Sequence, residues 1–246
     1  MKIYEIEAGE KIDLSHEDFN TVMERIKIEC SEAYNIYSTK SFADAGAVLM
    51  RGVKVKDGIV NKAFNLFKPK SDLDIYMGKP REDRKPMSLQ SGVQKAIDIV
   101  FQQKGFTALR SNSIFCTSKY AQARLYGRVY VIYPKNGFSF TWSPAVSDLY
   151  SSIAFKIRER SLEFKSKPKV LEQFISEYIE SKNYKNTDFE AALQSRNEVM
   201  VSGEFYAIDL NLHMQNLIDK AKLSGAKSSG RMASYAPRTF AKRGEE

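Results

Sequence analysis

Three short polar motifs lie at the ends of segments that the sequence predicts as strands. Arg51 and Gly52 stand in VLMRGV, Thr117 and Ser118 end IFCTS, and Glu198 begins the strand of RNEVMV. An arginine fork binds phosphate oxygens in pairs, and a glycine inside a strand often marks a close backbone approach to a ligand. A carboxylate stabilises positive charge that develops in a transition state. The motifs therefore carry groups suited to an anionic ligand and to a positively charged transition state.

The order of these motifs resembles the R-S-E class of mono-ADP-ribosyltransferases, a family of bacterial toxin and phage effector type. The family includes clostridial binary toxins, Rho-modifying exoenzymes, vertebrate arginine-specific ectoenzymes and small phage transferases that modify host proteins. In that family an Arg at the end of the first core strand, a Ser-Thr-Ser-like strand and a Glu in an E/Q-x-E motif form the NAD site. The resemblance covers roughly residues 48–210, about two thirds of the chain.

The resemblance implies an α+β fold with an ADP-ribosyltransferase-like split β core. Two small packed sheets with flanking helices would surround an NAD cleft, with NAD as co-substrate and no metal. Glu198 would be the catalytic residue, because ADP-ribose transfer passes through an oxocarbenium-like transition state, as glycoside hydrolysis does. Its carboxylate would stabilise the developing charge and bind a ribose hydroxyl, a contact that strengthens as the bond to nicotinamide breaks.

The resemblance assigns the other motif residues to cofactor binding. Arg51 would bind the pyrophosphate or the adjoining ribose through its planar, permanently charged fork. Gly52 would let the backbone approach the nicotinamide carboxamide. Thr117 and Ser118 would orient the catalytic carboxylate through hydroxyl hydrogen bonds. Because Cys116 replaces the first Ser of the family pattern, either hydroxyl residue is a candidate for the serine role.

The segment before Glu198 holds the candidate acceptor-binding residues. The family has Glu or Gln two positions before the catalytic Glu, whereas this chain has Arg196. A cation cannot activate a guanidinium acceptor by removing its proton, so an arginine acceptor is disfavoured. Arg196 could instead contact a phosphate or a base edge of a nucleic-acid acceptor, or be an exposed loop residue. Phe189 in the same loop would suit a stacked base, with a core anchor as the alternative.

The distribution of charge favours an anionic partner. The chain has 246 residues and a net charge of +8, with 38 Lys and Arg against 30 Asp and Glu. Three segments hold the excess: residues 54–85 carry nine basic and five acidic residues, residues 156–169 six and two, and residues 220–246 seven and two. Counterion release favours phosphate polymers as partners of such segments. A solubilising surface is the alternative interpretation.

Composition excludes several classes of protein. A hydrophobic fraction of 43% with 12% aromatics excludes a disordered chain. Two cysteines, Cys30 and Cys116, exclude a disulfide framework, and two histidines support a zinc hydrolase poorly. No segment matches a P-loop or a GxGxxG turn, so a dinucleotide would not bind by the Rossmann route. No signal peptide or stretch of ~18 apolar residues is present, so we predict a cytoplasmic protein with no membrane partner.

The hydrophobic pattern divides the chain into an N-terminal helical segment (residues 1–45), a catalytic domain (46–219) and a basic tail (220–246) that we expect to be flexible. The first helix is predicted from about Glu17 to Tyr34, with Ser15 as its N-cap. The remaining predicted strands cover 47–55, 113–117, 128–133, 138–142, 197–201 and 206–210, and the remaining predicted helices cover 88–104, 118–126, 170–179 and about 211–223. Residues 56–86 are predicted as a long connection with at most short elements, and residues 183–196 as a polar loop.

The motifs, with the resemblance, predict NAD-dependent mono-ADP-ribosylation of an intracellular macromolecule with release of nicotinamide. We prefer a nucleic-acid acceptor, RNA in particular, because of the basic segments and Arg196, with a protein acceptor as the close second. By analogy with the family, such a protein would be a toxin or phage effector in the host cytoplasm, held in check by an inhibitory partner or antitoxin. The alternative from another class is a non-enzymatic, basic nucleic-acid-binding protein with the same fold.

Overall fold

The protein has two small antiparallel sheets with helices around them. The computed structural model describes residues 11–40, 47–54, 73–82 and 91–223. Within these ranges the α+β class predicted from the sequence is confirmed. No helix of the described ranges is long and apolar enough to cross a membrane.

Every neighbouring pair of strands in the two sheets is antiparallel. The described strands are β1 (Lys11–Asp13), β2 (Met50–Val53), β3 (Ile75–Gly78), β4 (Ile114–Cys116), β5 (Arg128–Pro134), β6 (Ser139–Trp142), β7 (Val199–Ser202) and β8 (Phe205–Asp209). The five-stranded sheet has the order β1-β3-β8-β5-β2, and the three-stranded sheet has the order β4-β7-β6. The last two strands of the described ranges, β7 and β8, therefore occupy the centres of the two sheets.

Four of the described helices follow an aspartate whose side chain accepts a hydrogen bond from a backbone N–H of the first turn. Asp18, Asp148, Asp188 and Asp209 fill this role, which satisfies backbone N–H groups that have no partner inside a helix. The described helices are α1 (Phe19–Glu29), α2 (Ser31–Ser38), α3 (Ser91–Gln103), α4 (Tyr120–Arg124), α5 (Leu149–Glu159), α6 (Ser161–Ser166), α7 (Pro168–Ser181), α8 (Phe189–Ser195) and α9 (Leu210–Leu223).

The N-terminal segment differs from the prediction of one helix. It forms two helices, because Cys30 leaves the helical conformation at φ −122° and ψ 32°. Asp18 is the N-cap of α1, and Ser15 has another role: its Oγ accepts a hydrogen bond of 2.9 Å from Asp74 N and so ties the end of β1 to the start of β3. Both helices pack into the same hydrophobic core as the five-stranded sheet.

Two further differences from the predictions concern segments of weak hydrophobic pattern. The predicted polar loop over 183–196 contains α8, which buries Phe189, Ala192 and Leu193 at helical spacing. Residues 149–166, for which no element was predicted, form α5 and α6. The predicted connection over 56–86 contains β3 in its described part. The predicted helix start at residue 88 and the tail beyond residue 223 lie outside the described residues.

The three-stranded sheet separates two hydrophobic clusters. Val199 and Val201 face the cluster that includes the five-stranded sheet, α1, α2 and α8. Met200 faces the other way, into the cluster formed with α3, α5 and α7. Full burial of such an aliphatic side chain contributes about 1.5–3 kcal/mol. Because both faces of β7 are anchored, the residue that precedes it is held in a defined position.

The short helix α4 packs directly on strand β2. A Cβ atom added to Gly52 would lie 1.9 Å from the carbonyl oxygen of Ala123 and 2.8 Å from Cβ of Tyr126. Backbone oxygen at such a distance cannot move aside cheaply, so this position accepts only glycine. The glycine in VLMRGV is therefore required for the packing of a helix on the sheet.

We predict that Gly52→Ala lowers the free energy of unfolding by about 1–3 kcal/mol, because the added methyl group overpacks the contact with α4. Denaturant-induced unfolding measures the difference. Gly92→Ala is the matched control, since Gly92 lies exposed in α3 and its added Cβ meets nothing within 4 Å. We expect the control to keep the parental stability or to gain up to about 1 kcal/mol. Equal stability of the two variants would contradict the close packing of α4 on Gly52.

We also predict that neither cysteine reacts with a disulfide reagent such as DTNB in the native protein at mildly alkaline pH. Cys30 is 0% exposed and Cys116 is 4% exposed, and burial raises the pKa of the Cys30 thiol to about 12. Because the thiolate is the reactive form, both thiols should react only after unfolding in guanidinium. If one thiol per chain reacted rapidly with DTNB in the native state, the core around that cysteine would be accessible to solvent, contrary to the prediction.

Candidate active site

The three predicted motifs meet where the two sheets adjoin. Met50 and Thr117 exchange two backbone hydrogen bonds of 2.8 Å each, which join β2 to the residue that follows β4. In the pair of β4 with β7, Cys116 lies opposite Val199, so the continued register sets Thr117 beside Glu198. Met50, Thr117 and Glu198 thus form a row that runs from β2 across the end of β4 to the start of β7. Arg51 and Gly52 occupy the next two positions of β2.

The hydroxyl groups of the second motif bind backbone, and not the Glu198 carboxylate. Thr117 Oγ1 donates to the carbonyl oxygen of Arg196 at 3.1 Å, and Ser118 Oγ donates to the carbonyl oxygen of Leu193. Both hydroxyl residues are buried. They tie the end of α8 and the residues after it to β4. Their effect on Glu198 is therefore indirect, through the backbone that leads to it.

Glu198 lies between the N-terminus of α5 and a buried arginine. Its Oε1 accepts a hydrogen bond from Leu149 N at 3.4 Å, and its own N–H donates to the carbonyl oxygen of Ser147 at 3.2 Å. The same Oε1 lies 3.6 Å from Nη1 of Arg110, and the Glu198 side chain is 14% exposed. A helix N-terminus and a guanidinium both favour the ionised form of a carboxylate.

Arg110 is a site residue that the sequence did not reveal. Its side chain is 10% exposed, and its guanidinium lies 4.6 Å from the ring centroid of Phe115 on β4. A lone arginine between apolar Leu109 and the strand over 114–116 has no spacing that marks it as functional. No sequence pattern indicates its low exposure. That low exposure, unusual for an arginine, is the property that marks Arg110 as a candidate site residue.

Two tyrosines, the half-buried Tyr184 and the buried Tyr178, border the same region. Burial, and then the negative charge of Glu198, raises the pKa of the Tyr184 phenol well above its usual value. The ring of Tyr184 packs edge-on against Phe101 of α3, with centroids 5.1 Å apart. Tyr178 of α7 also lies close enough to act on Tyr184 electrostatically. The carboxylate therefore has neutral aromatic neighbours, and little water to screen its charge.

Arg51 is deeply buried, with 3% of its surface exposed. It lies opposite Tyr130 on β5, which lies opposite Asp209 on β8, so the three residues share one face of the five-stranded sheet. Asp209 is held by Arg128, whose Nε lies 2.6 Å from its Oδ2. The surroundings of Arg51 on this face are thus polar and charged.

Gly52 has two different environments, above the sheet and along the strand edge. Above the sheet, the close approach predicted for a ligand is made by α4. Along the edge, the backbone groups of alternate residues point to the same side of a strand. Because those of Met50 bind Thr117, those of Gly52 are directed to the β4 side of β2 as well.

The two residues predicted for acceptor binding lie in different places. Arg196 is exposed at the C-terminal end of α8, in the left-handed conformation at φ 59°. Phe189 is buried, and its ring packs against Phe138 at 5.0 Å and Phe140 at 5.2 Å. The ring of Phe189 is therefore covered by core residues and offers no face to a stacked base. Its position fits the alternative interpretation, a core anchor.

Other candidate features lie away from these residues. A cavity of about 390 Å³ lies among α3, α5, α6 and α7, and none of the predicted site residues lines it. The basic segment over 156–169 forms the end of α5, α6 and the start of α7. In the part of the chain that the structure describes, no group of three or more His, Cys, Asp or Glu side chains could hold a metal ion.

The arrangement combines a buried arginine, a strand edge and a largely buried carboxylate at the junction of two sheets. Such a set can bind a phosphorylated ligand and stabilise positive charge next to it. Comparisons with protein-family models, with curated proteins and with solved structures found no match for this chain.

Proposed function

We propose that this protein is an NAD-dependent mono-ADP-ribosyltransferase that releases nicotinamide and modifies a macromolecule. One observation carries the proposal: motifs around Arg51, Thr117 and Glu198, which are far apart in the sequence, converge where the two sheets adjoin. In this proposal the two sheets are the split β core of the transferase fold, and Glu198 is the catalytic residue.

The surroundings of Glu198 support a role in charge stabilisation. An ionised carboxylate stabilises the positive charge that develops on the ribose as the bond to nicotinamide lengthens. The bonding electron pair leaves with nicotinamide, and a nucleophilic atom of the acceptor forms the new bond to the ribose carbon and loses its proton. Low exposure strengthens this electrostatic effect, because little water screens the carboxylate.

Arg51 and Gly52 would hold the dinucleotide in this proposal. The N–H and C=O groups of Gly52 at the edge of β2 suit a carboxamide, which offers one acceptor and one donor group in return. The Arg51 fork suits the pyrophosphate or the adjoining ribose. Thr117 and Ser118 support the site by fixing the backbone that precedes Glu198.

A nucleic-acid acceptor, RNA in particular, is favoured by Arg196. Its carbonyl oxygen is bound by Thr117, and its exposed cationic side chain lies two residues before Glu198. A cation at this place attracts phosphate, and it would repel the guanidinium of an arginine acceptor. A protein acceptor other than arginine is the competing substrate, and labelling of separated pools distinguishes the two.

One observation favours a second candidate function. The ion pair of Glu198 with Arg110 is also what a structural carboxylate would form in a largely buried position. The chain would then be a basic nucleic-acid-binding protein that has this fold without turnover. The decisive difference between the two functions is the chemical requirement for Glu198.

We predict that Glu198→Gln lowers the rate of nicotinamide release from NAD by about 100–1,000-fold, because the amide carries no charge to stabilise the transition state. Chromatographic measurement of free nicotinamide checks this. Glu204→Gln is the matched control, since Glu204 is an exposed carboxylate that pairs with Lys135 beyond β7, and it should retain the parental rate. Thermal unfolding confirms that both variants fold. A Glu198→Gln variant as active as the parent would refute the enzymatic assignment.

We predict that labelled NAD transfers its label to an RNA pool in preference to DNA or protein pools. Arg196→Asn should weaken RNA labelling and reduce the slope of its salt dependence by about 1, as expected for one lost phosphate contact. Asn tolerates the left-handed backbone of this position, and Lys27→Gln on α1 controls for loss of a surface cation. Labelling confined to the protein pool would identify the competing substrate class. An unchanged salt slope in Arg196→Asn would remove Arg196 from the acceptor site.

A further inference from the structure

Arg110 is held more firmly than its position in a connecting segment suggests. Its backbone N–H donates to Oδ1 of Asp98, a buried carboxylate of α3, at 2.8 Å. On either side, Asn112 accepts a hydrogen bond of 2.8 Å from Leu109 N and donates one of 3.0 Å to the carbonyl oxygen of Thr107. The turn between α3 and β4 is therefore fixed by its own side chains, and the base of the Arg110 side chain is fixed with it.

The guanidinium is directed at Glu198 and is largely shielded from water. Nη1 lies 3.6 Å from Oε1 of Glu198, and the group rests over the ring of Phe115. Nε and Nη1 are buried and make no hydrogen bond. At 3.6 Å the contact with Glu198 is electrostatic, so both donors retain capacity for a polar group that enters beside the carboxylate.

We infer that Arg110 is a positioning residue for Glu198 in the proposed ADP-ribosyl transfer, an inference that rests on the proposed function. Arg110 keeps the Glu198 carboxylate ionised. It also holds that carboxylate in place between the N-terminus of α5 and Thr117. The reacting ribose would contact Glu198, and Arg110 acts through Glu198. Its effect is on the protonation and orientation of one carboxylate.

Among the described residues near this pair, Asp148 at the N-terminus of α5 and Asp98 of α3 are acidic, and Tyr184 and Tyr178 are phenols. Nearby negative charge and burial both favour protonation of a carboxylate. Arg110 opposes both effects. Without it, Glu198 would take up a proton at a higher pH and lose the charge that the reaction requires.

The test measures nicotinamide release by Arg110→Met and Arg110→Lys variants of the full chain from about pH 4 to pH 9. We expect Arg110→Met to lower kcat by about 10–100-fold with a small change in KM. The acidic limb of its pH profile should move to higher pH by about one unit or more. Arg110→Lys retains the positive charge, so its acidic limb should stay near that of the parent.

A merely structural role would give a different result. It would lower the melting temperature and the active fraction while leaving the acidic limb where the parent has it. Arg25→Met is the control for loss of an ion pair. Arg25 lies in α1 and pairs with Glu17, which precedes that helix. An unmoved acidic limb in Arg110→Met would overturn the inference.

A second measurement separates this inference from the proposed function. Carbon-13 NMR of carboxyl-labelled glutamate, with the Glu198 signal identified through Glu198→Gln, follows protonation without any turnover. In Arg110→Met the titration midpoint of that signal should move to higher pH. If the parent consumes no NAD, the proposed function fails, and the NMR result still decides whether Arg110 keeps Glu198 ionised. If the parent is active and the midpoint does not move, only the role of Arg110 is wrong.

Discussion

The pair of backbone hydrogen bonds between Met50 and Thr117 is the interaction on which the site depends. It joins the edge of the five-stranded sheet to the end of β4 at a single residue pair. Both sheets contribute side chains to one hydrophobic cluster, and the three-stranded sheet also faces a second one. A strand edge at Gly52 and a carboxylate at Glu198 come to lie on either side of one junction.

Support for Glu198 comes from backbone and charge together. The hydroxyl groups of Thr117 and Ser118 fix the chain before it, and the anchored strand β7 fixes the chain after it. Its carboxylate then meets the N-terminus of α5 and Arg110. A buried ion pair costs desolvation energy that its attraction scarcely offsets, so apolar residues would often be as stable. The pair is therefore weak evidence for a contribution to stability.

The sequence predicted the parts of the structure that local pattern determines. The strands around the three motifs were expected from β-branched and apolar residues, and the α+β class followed. The register that sets Thr117 beside Glu198 is a long-range property, and a resemblance of motifs could suggest it without determining it. Arg110 could not be predicted, because its burial results from the packing of α3 on the three-stranded sheet. Phe189 illustrates the same limit, since a loop phenylalanine and a core anchor have the same local sequence.

The order of strands has a consequence for how the protein is made. β8 separates β3 from β5, and β7 separates β4 from β6, so the two sheets lack their central strands until synthesis has passed through residues 199–209. Contacts of such long sequence separation make folding slow. Glu198 precedes β7 by one residue, so carboxylate and sheet junction are assembled in the same late step. A ribosome-bound chain would thus carry most of its mass before Met50, Thr117 and Glu198 could come together.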